Sequence, residues 1–151
     1  LYMENNMETK VVNCKVKYIR ALGFNNLKEW CDDENNIYIG RKGIVFVDTD
    51  RIDENGKKIK ERFPKCDSIW ANPFKVKKNN NGDGDNRKQA VGDYEEYIIK
   101  KIENENLFEE LLSLEGKKLG CWCKEPDKHV GCHGDVLLKL LKNYKENGKL
   151  E

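Results

Sequence analysis

The stretch Lys117-Lys118-Leu119-Gly120-Cys121-Trp122-Cys123, followed after residues 124–131 by Cys132-His133-Gly134-Asp135-Val136-Leu137, decides how this chain folds. Its first half is a short apolar run behind two lysines, which predicts a buried strand. Beyond the intervening loop, Val136, Leu137, Leu140, Leu141 and Tyr144 recur at three- and four-residue intervals. That spacing predicts a helix over 133–144 with one apolar face. A strand, a loop and a helix make a βα unit.

Working outward, the helical period appears again from Asn86, with Val91, Tyr94, Ile98 and Ile102 on one side, and a second short helix is expected over 107–114. Upstream of the polar loop 79–85 the signals are mostly those of strands. Cys14, Val16 and Tyr18 alternate with Asn13, Lys15 and Lys17, which reads as a half-buried strand from Val12. Ile37-Tyr38-Ile39 and Ile44–Val47 read as two more, and Asn55-Gly56 marks a hairpin tip. Leu27 and Trp30, one turn apart, suggest a short helix. We therefore expect one α/β domain over 10–147, a Rossmann-like three-layer sandwich with a small mixed sheet and flanking helices, with α+β as the alternative. Residues 1–9 read as a frayed or vector-derived start.

Composition narrows the class. A chain of 151 residues with 38% hydrophobic side chains can bury a core without staples. No apolar run reaches the ~18 residues of a membrane span. We expect a soluble, cytoplasmic chain with no membrane partner. A net charge of +1 argues against a strongly basic polyanion binder, though not against a local patch. Six cysteines without an export signal point to a reducing compartment. Cys14, Cys31 and Cys66 are scattered and read as small buried hydrophobes.

The other three cysteines converge with a histidine, and three readings stay open there. Cys121 and Cys123 share one face of a strand, while Cys132 and His133 open a helix. Zinc is one reading, with Cys121, Cys123, Cys132 and His133 (or His129) as ligands, although the usual spacing is C-x₂₋₄-C and a C-x-C on an extended strand holds its sulfurs further apart than one tetrahedral ion favours. A reactive site is the second. A helix N-terminus favours a thiolate, so Cys132 or Cys123 would be the nucleophile, His133 the base, and Asp135 would orient the histidine. The third is structural packing with a capping aspartate.

Two further clusters carry candidate ligand contacts. In Ser68-Ile69-Trp70-Ala71-Asn72-Pro73-Phe74 the residue before proline is held extended. Asn72 can present its amide, and Trp70 and Phe74 can stack on a base; a core-packed aromatic turn is the plain alternative. From Lys57 to Lys78, eight basic residues stand against Glu61 and Asp67, as on a phosphate-tracking surface or a solvated hairpin. Arg41 with Lys42 after Gly40, and Arg87 at a helix start, suit bidentate recognition of phosphate or carboxylate. A Gly-rich phosphate cradle is missing, since Gly82-x-Gly84 lacks a third glycine.

Taken together, Tyr38-Ile39-Gly40-Arg41-Lys42, Ser68–Phe74, the helix with Val91 and Tyr94, Gly116–Cys123 and Cys132–Leu137 resemble the DUF4326 family of bacteria, phages and large DNA viruses. The resemblance spans about residues 37–141. It implies a compact α/β domain and marks Arg41, Asn72, Cys121, Cys123, Cys132, His133 and Asp135 as motif positions. The ending is also similar to that of DUF488. A viral distribution favours a nucleotide-type small molecule or nucleic acid as partner, by association only. The expected function is thus nucleotide-type ligand binding with Cys/His-dependent hydrolase or transferase chemistry. The alternative is a non-enzymatic nucleic-acid-binding module, with or without zinc.

Overall fold

The strand β5 (Lys118–Cys121) lies in the middle of a three-stranded parallel sheet, between β1 (Lys10–Asn13) and β2 (Asn36–Tyr38). These are seen in a computed structural model that describes residues 8–75, 86–122 and 132–151. Cys123, His129 and the loop 79–85 lie outside the described residues. The register places Val11, Leu119 and Ile37 in one row and Val12, Gly120 and Tyr38 in the next. Because side chains alternate across a strand, the two rows face opposite ways.

Each face carries its own apolar cluster. Leu119 and Cys121 join Tyr94, Ile98 and Ile102 of α3 (Arg87–Glu105), Leu111 of α4 (Phe108–Leu112), and Val136, Leu137, Leu140 and Leu141 of α5 (His133–Asn147). On the other face Cys14 packs with Ile19 of α1 (Val16–Ala21) and with Leu27 and Trp30 of α2 (Leu27–Asp32). Gly120 makes this second cluster possible. A Cβ there would stand 2.4 Å from both Cys14 Sγ and the Trp30 ring, so the indole and the thiol rest directly on the strand.

Among the described residues between β2 and α3, no strand enters this sheet. β3 (Val45–Ile52) and β4 (Lys58–Phe63) pair only with each other, as an antiparallel hairpin. Its tip is the expected one: Asp53 Oδ1 accepts the Asn55 and Lys57 N–H groups, and Gly56 takes φ +79°. Mixed helix and strand content with a small sheet is therefore as expected. The mixed sheet is not; it separates into a parallel sheet and an independent hairpin.

Three local expectations also need correction. The strand expected from Val12 to Tyr18 stops at Asn13, and Val16–Ala21 is helical. Asn13 Oδ1 accepts the Lys15 N–H at 2.9 Å, a side-chain turn that competes with the ladder. Thr9, read as part of a frayed start, is tied down: its hydroxyl donates to Leu114 O and accepts from Gly116 N–H. Of the scattered cysteines only Cys14 is buried, since Cys31 is half-buried and Cys66 exposed. Among the described residues no helix is long and apolar enough to cross a membrane.

Candidate functional site

The carboxyl ends of β2 and β5 and the start of α5 meet at one place, where open α/β sheets usually hold ligands. A cavity of about 240 Å³ opens there, lined by Gly40, Arg41, Ile44, Asn72, Phe74, Arg87, Val91, Trp122, Cys132 and His133. Two guanidinium groups and an imidazole share this wall, and no carboxylate is among its described residues. Much of the remaining wall is apolar.

Two segments distant in sequence are laced together to build the arginine side. Gly40 O accepts the Ser68 N–H, and Asp67 Oδ1 accepts the Lys42 N–H. Arg41 then donates through Nε to Asn72 O at 2.8 Å. From below, the Trp122 indole N–H donates to the Tyr38 hydroxyl, which itself donates to Arg41 O, both at 2.8 Å. Burial pushes the Tyr38 phenol up to about 12, so it stays a neutral donor. Asn72 Oδ1 is occupied locally by the Phe74 N–H, and the Phe74 ring meets Tyr97 edge-on.

The helix start supplies the other side. Cys132 is the N-cap of α5: its Sγ accepts from Gly134 N–H at 3.4 Å, and Asp135 accepts the Cys132 N–H at 3.3 Å. This is a capping box with a cysteine sulfur as acceptor in place of a hydroxyl. Gly134 lets the helix approach the sheet, since a Cβ there would come within 2.8 Å of Val11. His133 is buried, with Nε2 at 2.8 Å from Ile39 O and the Tyr94 ring packed edge-on. A carbonyl only accepts, so Nε2 carries the proton and Nδ1 the lone pair. Burial, chiefly, lowers the His133 pKa below the ordinary value; Arg41 pushes the same way, while the Ile39 bond and the Asp135 charge oppose it. The ring is neutral near pH 7.

The sulfurs are packed closely. Cys121 Sγ lies 3.1 Å from Cys132 Sγ, and His133 Nδ1 is 3.9 Å from the same atom. Cys132 is disulfide-bonded, while the free thiols among the described residues are Cys14, Cys31, Cys66 and Cys121. The thiolate expected at position 132 therefore belongs to the reduced protein. Two thiolates sharing a tetrahedral zinc stand about 3.7 Å apart, given Zn–S near 2.3 Å, and the observed pair is closer. Among the described residues no group of three or more His, Cys, Asp or Glu is placed to hold a metal ion.

The structure sorts the expected contacts. Arg41, Asn72, Phe74, Arg87, Cys132 and His133 come together on the cavity wall. Trp70 does not: it is buried in the core, with its carbonyl accepting from the Tyr94 hydroxyl at 2.7 Å. The plain reading of that tryptophan holds. The Lys42 side chain is exposed, Cys121 is buried behind Cys132, and Asp135 caps the helix; none of the three lines the cavity. Ile44, Val91 and Trp122 do line it, and sequence reasoning missed them as contacts. Trp122, first residue after a parallel strand, and Val91, one turn after Arg87, carried a positional signal.

The basic stretch 57–78 is also changed by pairing. Asp48 of β3 meets Lys60 of β4 at 3.5 Å and Arg51 of β3 meets Glu61 of β4 at 3.9 Å, and the hairpin segment 45–63 holds five acids and five basic residues. Lys77 and Lys78 lie outside the described residues.

The fold and cavity define a small domain of mixed helix and strand content, with a cationic cavity at the carboxyl ends of its parallel strands. The chain belongs to the family described as Domain of unknown function (DUF4326), whose profile matches residues 23–143. That match starts earlier than the motifs alone suggest and takes in α2. An uncharacterized protein of Acanthamoeba polyphaga mimivirus is 34% identical over 80 residues, covering 50% of this chain and 55% of that protein. The chain thus spans about half the length of this viral relative. No solved structure matches.

Proposed function

We propose that this domain binds a nucleotide-type small molecule in the cavity between Arg41 and His133. The observation that carries the reading is one wall holding two arginines, a neutral imidazole and two aromatic rings with no described carboxylate. Guanidinium groups suit phosphate oxygens bidentately, and Phe74 and Trp122 offer faces for a base. The fold's finer class would be Rossmann-like, with apolar clusters on both faces of the parallel sheet and the ligand at its carboxyl edge. His133 would be the general base of such chemistry. In the reduced protein, Cys132 beside it would be the nucleophile of a hydrolase or transferase. The balanced hairpin gives less support to a non-enzymatic nucleic-acid module.

Calorimetric titration of the full chain with nucleoside monophosphates tests this. Binding should weaken by about tenfold or more in Arg41→Ala and in Arg87→Ala, as expected for loss of a charge-assisted contact. Unchanged affinity in both variants would overturn the reading.

A further inference from the structure

A second cavity, of about 330 Å³, lies against the first and shares Arg41 and Asn72 with it. It is otherwise lined by Asp67, Lys75, Tyr97 and Lys101, among others. The two cavities meet at the Arg41–Asn72 hydrogen bond, and the Phe74–Tyr97 ring contact links an aromatic of one to an aromatic of the other. The chemistry changes across that boundary. The first cavity joins its cations to apolar and aromatic surface; the second has three cations against one carboxylate. Asp67 is itself engaged by the Lys42 N–H. Lys101 is not a loose surface lysine, because its ammonium donates to Ile69 O at 2.8 Å and so stays at the cavity.

A ligand anchored by Arg41 in the first cavity can extend negative charge past that residue into this adjoining cationic compartment. We propose that the second cavity receives a linear phosphate chain, and that the ligand is a nucleoside di- or triphosphate rather than a nucleoside or monophosphate. This rests on the reading that the first cavity takes a nucleotide. Lys75 and Lys101 are then binding residues, and Arg41 contacts phosphate from both sides. Ammonium groups suit this task as point charges that follow a flexible chain.

The test is titration of the full chain, at fixed ionic strength and in chelator, with AMP, ADP and ATP and with the matching guanine, cytosine and uracil series. Lys75→Met/Lys101→Met is compared with Lys28→Met, an exposed lysine on α2. For at least one base, affinity should rise about fivefold or more from mono- to triphosphate, as expected for partly screened charge pairs. In the double variant that gain should shrink to about twofold or less, with monophosphate binding and the Lys28→Met profile unchanged. Equal affinity for mono- and triphosphates, or a gain that survives in the double variant, overturns the phosphate compartment and leaves the nucleotide cavity standing. Absence of binding by every nucleotide overturns both.

Discussion

His133 shows how one side chain can be fixed twice, by a backbone carbonyl at one nitrogen and by burial around the ring. Its lowered pKa has a consequence for stability. Below about pH 6.5 the unfolded imidazole takes up a proton that the folded one refuses, so stability falls as pH drops toward the lower folded-state pKa. Above that window the contribution is fully present and flat. Urea denaturation of wild type and His133→Gln across pH 5 to 8 should give a stability difference that changes below about 6.5 and is constant above it. Gly120 makes the opposite kind of demand, for absence of a side chain. Gly120→Ala drives a methyl into Cys14 and Trp30 and should cost about 1–3 kcal/mol or more in the same assay. Neither requirement is visible locally: glycine in an apolar strand reads only as a weak position, and its neighbours Cys14 and Trp30 are far away in sequence. Tyr38 is the third case. Its hydroxyl donates to the Arg41 backbone carbonyl and it does not line the cavity, so it is a positioning residue. Tyr38→Phe should weaken nucleotide binding by about twofold to tenfold while leaving the dependence on phosphate number unchanged, since only one neutral hydrogen bond is lost.

At the scale of elements, α5 and the hairpin differ in how much the sequence disclosed. The apolar spacing of α5 matches its buried side, Val136, Leu137, Leu140 and Leu141, because a helix against a sheet is governed by local period. Leu137 is fully buried, and Leu137→Ala should cost about 2–5 kcal/mol by loss of core contacts. The short strand after Val12 was misread for the same reason in reverse: alternation over a few residues cannot reveal that Asn13 closes a side-chain turn. The hairpin was legible in its Asn55-Gly56 tip but not in its charge. A count along residues 57–78 sees lysines, whereas pairing sets Asp48 beside Lys60 and Glu61 beside Arg51. Exposed pairs of this kind are worth about 0–1 kcal/mol each, and the hairpin as a whole has equal numbers of acids and bases. Lys58→Ala/Lys60→Ala should therefore leave nucleotide affinity within about twofold of wild type, given the screening of exposed charges at this range. A larger loss would place the hairpin in the binding surface.

For the whole molecule, the central fact is that both apolar clusters rest on β5 and its two neighbours. Leu119 faces one cluster and Gly120 opens onto the other, so neither cluster can lose its packing without disturbing the sheet that supports both. The domain should unfold in one transition, with coincident far-ultraviolet and near-ultraviolet circular dichroism midpoints; two separated midpoints would show that the clusters melt independently. The cavity has the same long-range origin. Arg41, Asn72, Arg87, Trp122 and His133 come from five separate segments, and motif chemistry pointed to four of them. Trp70 suits stacking by residue type, but the structure buries it in the core beside Tyr94, a placement that neighbours distant in sequence decide.

The three tryptophans of this chain divide in a way that is useful at the bench. Trp30 and Trp70 are sealed in the two cores, whereas Trp122 is half-buried on the cavity wall with its N–H fixed by Tyr38. Emission from the two sealed indoles should ignore small quenchers, and emission from the third should respond to whatever fills the cavity. The domain thus contains a built-in optical reporter of occupancy, and its unlabelled fluorescence can be used to screen candidate ligands before any chemistry is known.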